Sequence, residues 1–138
     1  MPDCRLCNFP ASGILISTRL SKVFFPAEPV ATGHIVIAVK SHKPLLQDLS
    51  EAEARDIFAL ARKVASISAP VLGLEKYYLA SVADVDKHFH IHLLPKKSAD
   101  AKLGPYIFSD AGWKSKLAAK MDNTLLEKIK AALKNALK

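Results

Sequence analysis

The sequence predicts an α+β fold, an antiparallel β-sheet packed by one long helix and extended by a C-terminal amphipathic helix. Three observations predict it. Five short runs rich in β-branched and aromatic residues are separated by turn signals, residues 51–68 carry helical periodicity behind a capping box, and residues 124–137 repeat that pattern at the C-terminus. A chain of 138 residues that is 50% hydrophobic can bury one sizeable core, so a single domain over 1–138 is expected. Its core should span about 4–97, with an irregular segment and the terminal helix over 98–138.

The elements follow in order. Ile14 to Thr18 and Lys22 to Phe25 read as a hairpin, and Pro26 and Pro29 interrupt the ladder because neither can donate a backbone hydrogen bond. Gly33 then opens His34-Ile35-Val36-Ile37-Ala38-Val39-Lys40, a run suited to a central strand. Ser50-Glu51-Ala52-Glu53 has capping-box spacing, and Ile57, Leu60, Ala61, Val64 and Ile67 recur at helical intervals until Pro70 and Gly73 end the helix. Tyr77 to Val82 and His88 to Leu94 read as an antiparallel pair around the acidic turn Asp84-Val85-Asp86.

Pro95 to Met121 has weak patterning, anchored by Tyr106, Ile107, Phe108 and Trp113. Thr124-Leu125-Leu126-Glu127 reads as a second capping box before a stripe of Leu125, Ile129, Ala132, Leu133, Ala136 and Leu137.

Charge narrows the partners. The net charge of +7 favours acidic ones, but seven lysines lie between Trp113 and Lys138 against Asp122 and Glu127, so the excess belongs to the tail. A lysine-studded helix is ordinarily solvated on its charged side, and contact with nucleic acid is a minor reading. No run approaches the ~20 apolar residues of a membrane span, and the N-terminus lacks a secretory pattern, so a soluble cytoplasmic protein with no membrane partner is expected. Cys4-x-x-Cys7 in a reducing compartment is a metal or redox pair; no helix pattern follows it to lower a thiol pKa, which argues against redox.

Three of the five histidines alternate along one predicted strand. A side-chain period of two puts His88, His90 and His92 on one face and Phe89, Ile91 and Leu93 in the core. Same-face neighbours lie ~6.6 to 6.8 Å apart along the strand, a spacing that suggests rings too distant to hydrogen-bond to one another but able to surround one phosphate. The pattern also fits two imidazoles presented to zinc, or a merely solvated face.

The segment His88-Phe89-His90-Ile91-His92-Leu93-Leu94-Pro95 resembles the H-φ-H-φ-H-φ-φ signature of the histidine triad (HIT) family, where φ is apolar. Gly33-His34-Ile35-Val36-Ile37-Ala38-Val39-Lys40-Ser41-His42 is similar to that family's G-H-x-L-V-I-P-K-x-H strand, and with Cys4-x-x-Cys7 the matches run from residue 4 to about 97. The resemblance implies a HIT-like fold, a homodimer whose sheets join into one, and a nucleotide hydrolase or nucleotidyl transferase. His90 would attack the α-phosphorus to form a nucleotidyl-histidine, with His92 and His34 assisting. Neutral imidazole suits this role, being nucleophilic near pH 7 without a general base. The substrates implied include dinucleoside polyphosphates, nucleoside phosphoramidates and adenylylsulfate. The alternative is a non-catalytic nucleotide-binding regulatory protein of the same fold.

Cys4, Cys7, His42 and His88 match the zinc ligands of the metal-bearing members of the family. Cys2His2 is a closed tetrahedral set suited to structural zinc. The sequence departs from the family just before the triad, where Ala83-Asp84-Val85-Asp86-Lys87 replaces a G-Q-[ST]-V-x stretch whose amide and hydroxyl help to hold phosphates. Asp84 there would repel phosphate unless Lys87 or another lysine offsets it. The usual ribose-binding position falls near Pro26, with Glu28 as a substitute.

Overall fold

In the computed structural model, which describes residues 3–98 and 122–136, the β-branched runs pair into a five-stranded sheet. The strands are β1 (Ile14–Ser17), β2 (Ser21–Phe24), β3 (Ile35–Val39), β4 (Lys76–Ala80) and β5 (His90–Lys96), in the spatial order β1-β2-β3-β5-β4. Every neighbouring pair is antiparallel. The expected hairpin is β1–β2, and the run after Gly33 is the central strand, buried along its whole length.

Alternation dresses the two faces differently. Ile35 and Ile37 pair with Leu93 and Ile91, and Val36 and Ala38 pair with His92 and His90. The first set, with Val23 and Val39, belongs to the main core beneath the helices; Phe24, Val36 and Ala38 form a separate cluster with Leu6, Phe9 and Cys4 on the opposite side. The histidines of β5 therefore stand over small and β-branched residues of β3, on the face covered by the N-terminal segment rather than by a helix.

Helix α1 (Glu51–Leu72) starts where the capping box places it: the Ser50 hydroxyl accepts from the Glu53 N–H at 3.1 Å, and the Ser50 N–H donates to the Glu53 carboxylate at 2.9 Å. Ile57, Leu60, Ala61 and Val64 are buried on its inner stripe. The helix runs through Pro70 instead of ending there, because in the last turn proline removes one donor and the terminus is closed by other groups. Leu74 N–H donates to Ala69 O at 3.0 Å and Gly73 N–H to Pro70 O at 3.3 Å, with Gly73 left-handed at φ 64°. Gly73 is the stop. Gly33, at φ 93°, is demanded twice over, since a Cβ there would lie 2.3 Å from Leu72 Cδ1.

Helix α2 (Asn123–Ala136) lays Ile129 and Leu133 against α1 and β1. Its cap is Asp122, not Thr124: Asp122 Oδ1 accepts from the N–H groups of Thr124 and Leu125 at 3.0 and 3.2 Å, placing Thr124 already in the first turn. Ala136 is exposed, so the buried stripe is narrower than expected, and Leu137 lies outside the described residues, as does the segment 99–121 with Tyr106, Ile107, Phe108 and Trp113. No helix among the described residues is long and apolar enough to cross a membrane.

Other boundaries shift by a residue or two, and one shift matters. The histidine strand begins at His90, because the Phe89 N–H is taken by Lys43 O at 2.7 Å and the His88 N–H by Asp86 O at 2.8 Å, outside the ladder. His88 thus sits in the connection 81–89 rather than on the strand. At its far end β5 continues through Pro95, which pairs with Tyr77 of β4; β3 starts opposite Leu93, so Pro95 has a ladder neighbour on one side only.

The loop between β3 and α1 is held by Glu53, a buried carboxylate that takes hydrogen bonds from Lys43 Nζ, Ser41 Oγ and Ser50 N–H. The Lys43 bond first, then those from Ser41 and Ser50, bring its pKa down from 4.5 to about 2. A folded-state pKa below the unfolded one contributes stability that is present above the unfolded value and lost as pH falls through the folded one. Acid unfolding followed by circular dichroism should therefore show stability declining between pH 4.5 and about 2. Glu53→Gln should remove that pH dependence and cost about 1–3 kcal/mol at neutral pH.

Candidate functional site

Four backbone and imidazole hydrogen bonds form one chain. Val30 N–H donates to His34 Nδ1 at 3.1 Å, His34 Nε2 lies 2.9 Å from His92 Nδ1, His92 Nε2 lies 3.1 Å from His90 Nε2, and His90 Nδ1 lies 2.6 Å from His88 O. A backbone N–H can only donate and a carbonyl can only accept, so the ends of the chain dictate every neutral tautomer between them. His34 carries its proton on Nε2, His92 on Nε2 and His90 on Nδ1. What remains is an unprotonated His90 Nε2, whose lone pair receives the His92 N–H.

Electrostatics agree with neutral rings. Burial first, and His92 second, bring the His34 pKa down to about 3, while burial first and His90 second bring His92 to about 4. The rings also converge more than the spacing along a strand suggested: the His90 and His92 centroids are 4.8 Å apart because the side chains lean toward one another. His34 joins from just ahead of β3, whereas His88 faces elsewhere.

The three rings open onto a cavity of about 610 Å3. Phe9, Phe24, Pro26 and Val36 supply its apolar wall, and Phe9 stacks on Phe24 with centroids 4.0 Å apart. Glu28, the substitute offered for the ribose-binding position, lines this cavity, but Asp84 and Lys87 are exposed residues that do not line it. Of the stretch 83–87, the residue that does is Asp86, bound bidentately by Arg5 at 2.7 and 2.9 Å. An apolar slot beside a nitrogen lone pair can take a flat heterocycle and place an electrophilic phosphorus on His90.

His88 turns away to a second cluster. Its ligand atom and those of Cys4, Cys7 and His42 lie within 4.8 Å of one another. His88 Nδ1 is 3.3 Å from Cys4 Sγ and 3.4 Å from Cys7 Sγ, and His42 Nδ1 is 3.4 Å from Cys7 Sγ. A tetrahedral ion with metal–sulfur and metal–nitrogen bonds of ordinary length would hold S and N about 3.6 Å apart, so these four residues can hold a metal ion. Val39 O accepts from His88 Nε2 at 2.6 Å, which leaves the lone pair on Nδ1, facing the thiols. The buried Lys22 of β2 secures the knuckle by donating to Leu6 O.

All seven residues singled out by the sequence fall into these two clusters: His34, His90 and His92 in one, Cys4, Cys7, His42 and His88 in the other. The sequence did not reveal the Val30 N–H, the His88 carbonyl, Lys22, or the Arg5–Asp86 pair. The first two are backbone groups, which carry no residue identity. The partners of the last lie 81 positions apart, with no local pattern to join them.

Residues 10–99 match the HIT domain family. The nitrilase and fragile histidine triad fusion protein NitFhit of Caenorhabditis elegans is 34% identical over 104 residues, covering 67% of this chain and 22% of that protein. The asymmetrical bis(5'-nucleosyl)-tetraphosphatase of Schizosaccharomyces pombe is 28% identical over 115 residues, covering 75% of this chain and 60% of that one. The chain thus spans less than two thirds of either relative. A zinc-bound histidine triad family protein from Mycobacterium smegmatis shares the fold, with a TM-score of 0.73 at 18% identity over 98% of this chain and 96% of that one. Since the family match takes in well over half of its length, and the strand bearing His90 and His92 lies within it, the chain belongs to the HIT family.

Proposed function

We propose that the chain is a nucleotide hydrolase or nucleotidyl transferase that acts at an α-phosphate, with His90 Nε2 as nucleophile. The observation that carries this reading is the hydrogen-bond chain ending on His88 O, which leaves that one nitrogen unprotonated at the floor of the cavity. The names of the relatives, a tetraphosphatase and a protein containing a fragile histidine triad part, support the substrate class.

The steps follow from the tautomers. An entering phosphate takes over the His92 Nε2–H as a hydrogen-bond donor and frees the His90 lone pair. His90 Nε2 bonds to phosphorus, the bond to the leaving group breaks, and the leaving group takes the electron pair. His90 becomes a cationic ring whose Nδ1–H is already held by the His88 carbonyl, so the charge develops against a fixed dipole. Water then attacks phosphorus, the P–N bond breaks with its electrons returning to His90, and the water's proton leaves with the nucleoside monophosphate or to solvent. An acceptor other than water gives transfer. A polyphosphate leaves as a stable anion, whereas an amine also requires a proton.

Incubation with diadenosine polyphosphates or adenosine phosphoramidate should yield mononucleotide, with a nucleotidyl mass increment on rapidly quenched wild type. His90→Ala should abolish both, and His92→Ala should lower kcat by about 10^2- to 10^4-fold. Equal product from wild type and His90→Ala would exclude the nucleophile.

Zinc is the metal this reading assigns to Cys4, Cys7, His42 and His88. With four protein ligands it would supply cross-linking rather than a Lewis acid. The residue it would hold, His88, also provides the carbonyl that orients His90. Elemental analysis of protein purified without chelator should find about one zinc per chain, and Cys4→Ser should lose it. A metal-free wild type of full activity would end this assignment.

The homodimer implied by the family resemblance belongs to this proposal, and the sheet edge supports it. β4 is the last strand of the sheet, and beside it Leu45, Leu46, Phe58, Leu79 and Val82 form an exposed apolar surface. A second copy of the chain, adding its own β4 edge, would cover that surface and extend the ladder. Sedimentation should give a dimer, and Leu79→Lys with Phe58→Glu should give a folded monomer; an unchanged mass would refute this interface.

A further inference from the structure

The mouth of the histidine cavity poses an electrostatic problem for the substrate class just proposed. Asp3, Glu28 and Asp86 all line it, and among the described residues Arg5 is its only lysine or arginine. A nucleotide brings further negative charge. Asp3 and Glu28 are exposed, so water screens them, but the Asp86 side chain is only 23% exposed. It lines the same cavity as the His90 and His92 rings. An uncapped carboxylate here would repel the phosphate that His90 must meet.

Arg5 occupies the turn between Cys4 and Cys7 and reaches across to the connection ahead of β5. Nε binds Asp86 Oδ1 at 2.9 Å and Nη2 binds Oδ2 at 2.7 Å, a fork that covers both carboxylate oxygens. The Asp86 backbone carbonyl is meanwhile bound by the His88 N–H at 2.8 Å, so the main chain that carries this carboxylate is anchored beside the cavity. The Arg5 fork answers its charge there.

We propose that Arg5 is a specificity-determining residue, which caps the Asp86 carboxylate and so opens the histidine cavity to an anionic nucleotide. The inference rests on the function proposed above and adds to it a reason why the charged stretch 83–87 is compatible with phosphate. The guanidinium acts by neutralising a neighbour, and a lysine, unable to fork onto both oxygens, replaces it only in part.

The test is a double-mutant cycle with zinc content and thermal midpoint recorded for every protein. Arg5→Ala should raise KM for a diadenosine polyphosphate by about 10- to 100-fold with kcat changed far less, and added salt should narrow the gap. Asp86→Asn alone, which frees the guanidinium, should lower KM. The double variant should recover most of what Arg5→Ala lost. If the pair serves only to brace the knuckle against the loop, the double variant will be no better than Arg5→Ala, and that result overturns the proposal, as does an unchanged KM in Arg5→Ala. Calorimetric binding of AMP to the same four proteins separates the two claims. If the wild type binds AMP but turns over no nucleotide, the catalytic reading falls while the cycle, read in Kd, still decides the role of Arg5. If the wild type neither binds nor cleaves nucleotides, both readings are overturned.

Discussion

The hydrogen bond from His90 Nδ1–H to the His88 carbonyl, at 2.6 Å, joins the two halves of the site. On one side, it decides which nitrogen of His90 is free, and with it the tautomers of His92 and His34. On the other, it ties that choice to a residue whose own ring faces Cys4 and Cys7 through Nδ1. One residue therefore offers its side chain to the thiol cluster and its main chain to the His90 ring. Displacing His88 by a fraction of a bond length would cost both, because buried imidazoles have no water to replace a lost partner.

The scaffold protects this bond from both directions. From below, Val36 and Ala38 of β3 set the height at which the rings of His92 and His90 stand, by direct cross-strand pairing. Around it, Phe89 N–H binds Lys43 O and His88 Nε2 binds Val39 O, so the approach to β5 is bound to the end of β3 and the loop after it. That loop is in turn held by the Glu53 carboxylate at the start of α1. A helix cap and the loop carrying His42 thereby share one buried charge, which couples the stability of α1 to the position of His42.

Much of the fold was legible because its signals are local. The capping box at Ser50, the β-branched run of β3 and the alternation of His90 to Leu93 each lie within a few residues, and each appears in the structure where the pattern put it. The misreadings share a cause as well. Of the two helix stops the sequence offered, Gly73 closes the helix and Pro70 lies within its last turn, while Thr124 looks like a cap but Asp122 takes that role. His88 looked like a member of the strand, since periodicity registers residue type and cannot detect that the Phe89 N–H is engaged by Lys43 O.

The sequence by itself determined the family, the two sets of chemically able residues, and the side of the sheet on which His90 and His92 stand, because strand alternation and motif spacing are properties of adjacent positions. Tertiary structure alone decided that His88 leaves the strand with its ring toward the thiols and its carbonyl on His90, which tautomers His34 and His92 hold, and that Asp86 rather than Asp84 meets the cavity with Arg5 upon it. Those outcomes depend on contacts across 58 to 84 positions of chain and on backbone groups without identity in the sequence. Only folding brings such groups within hydrogen-bonding distance, and only that distance assigns the protons.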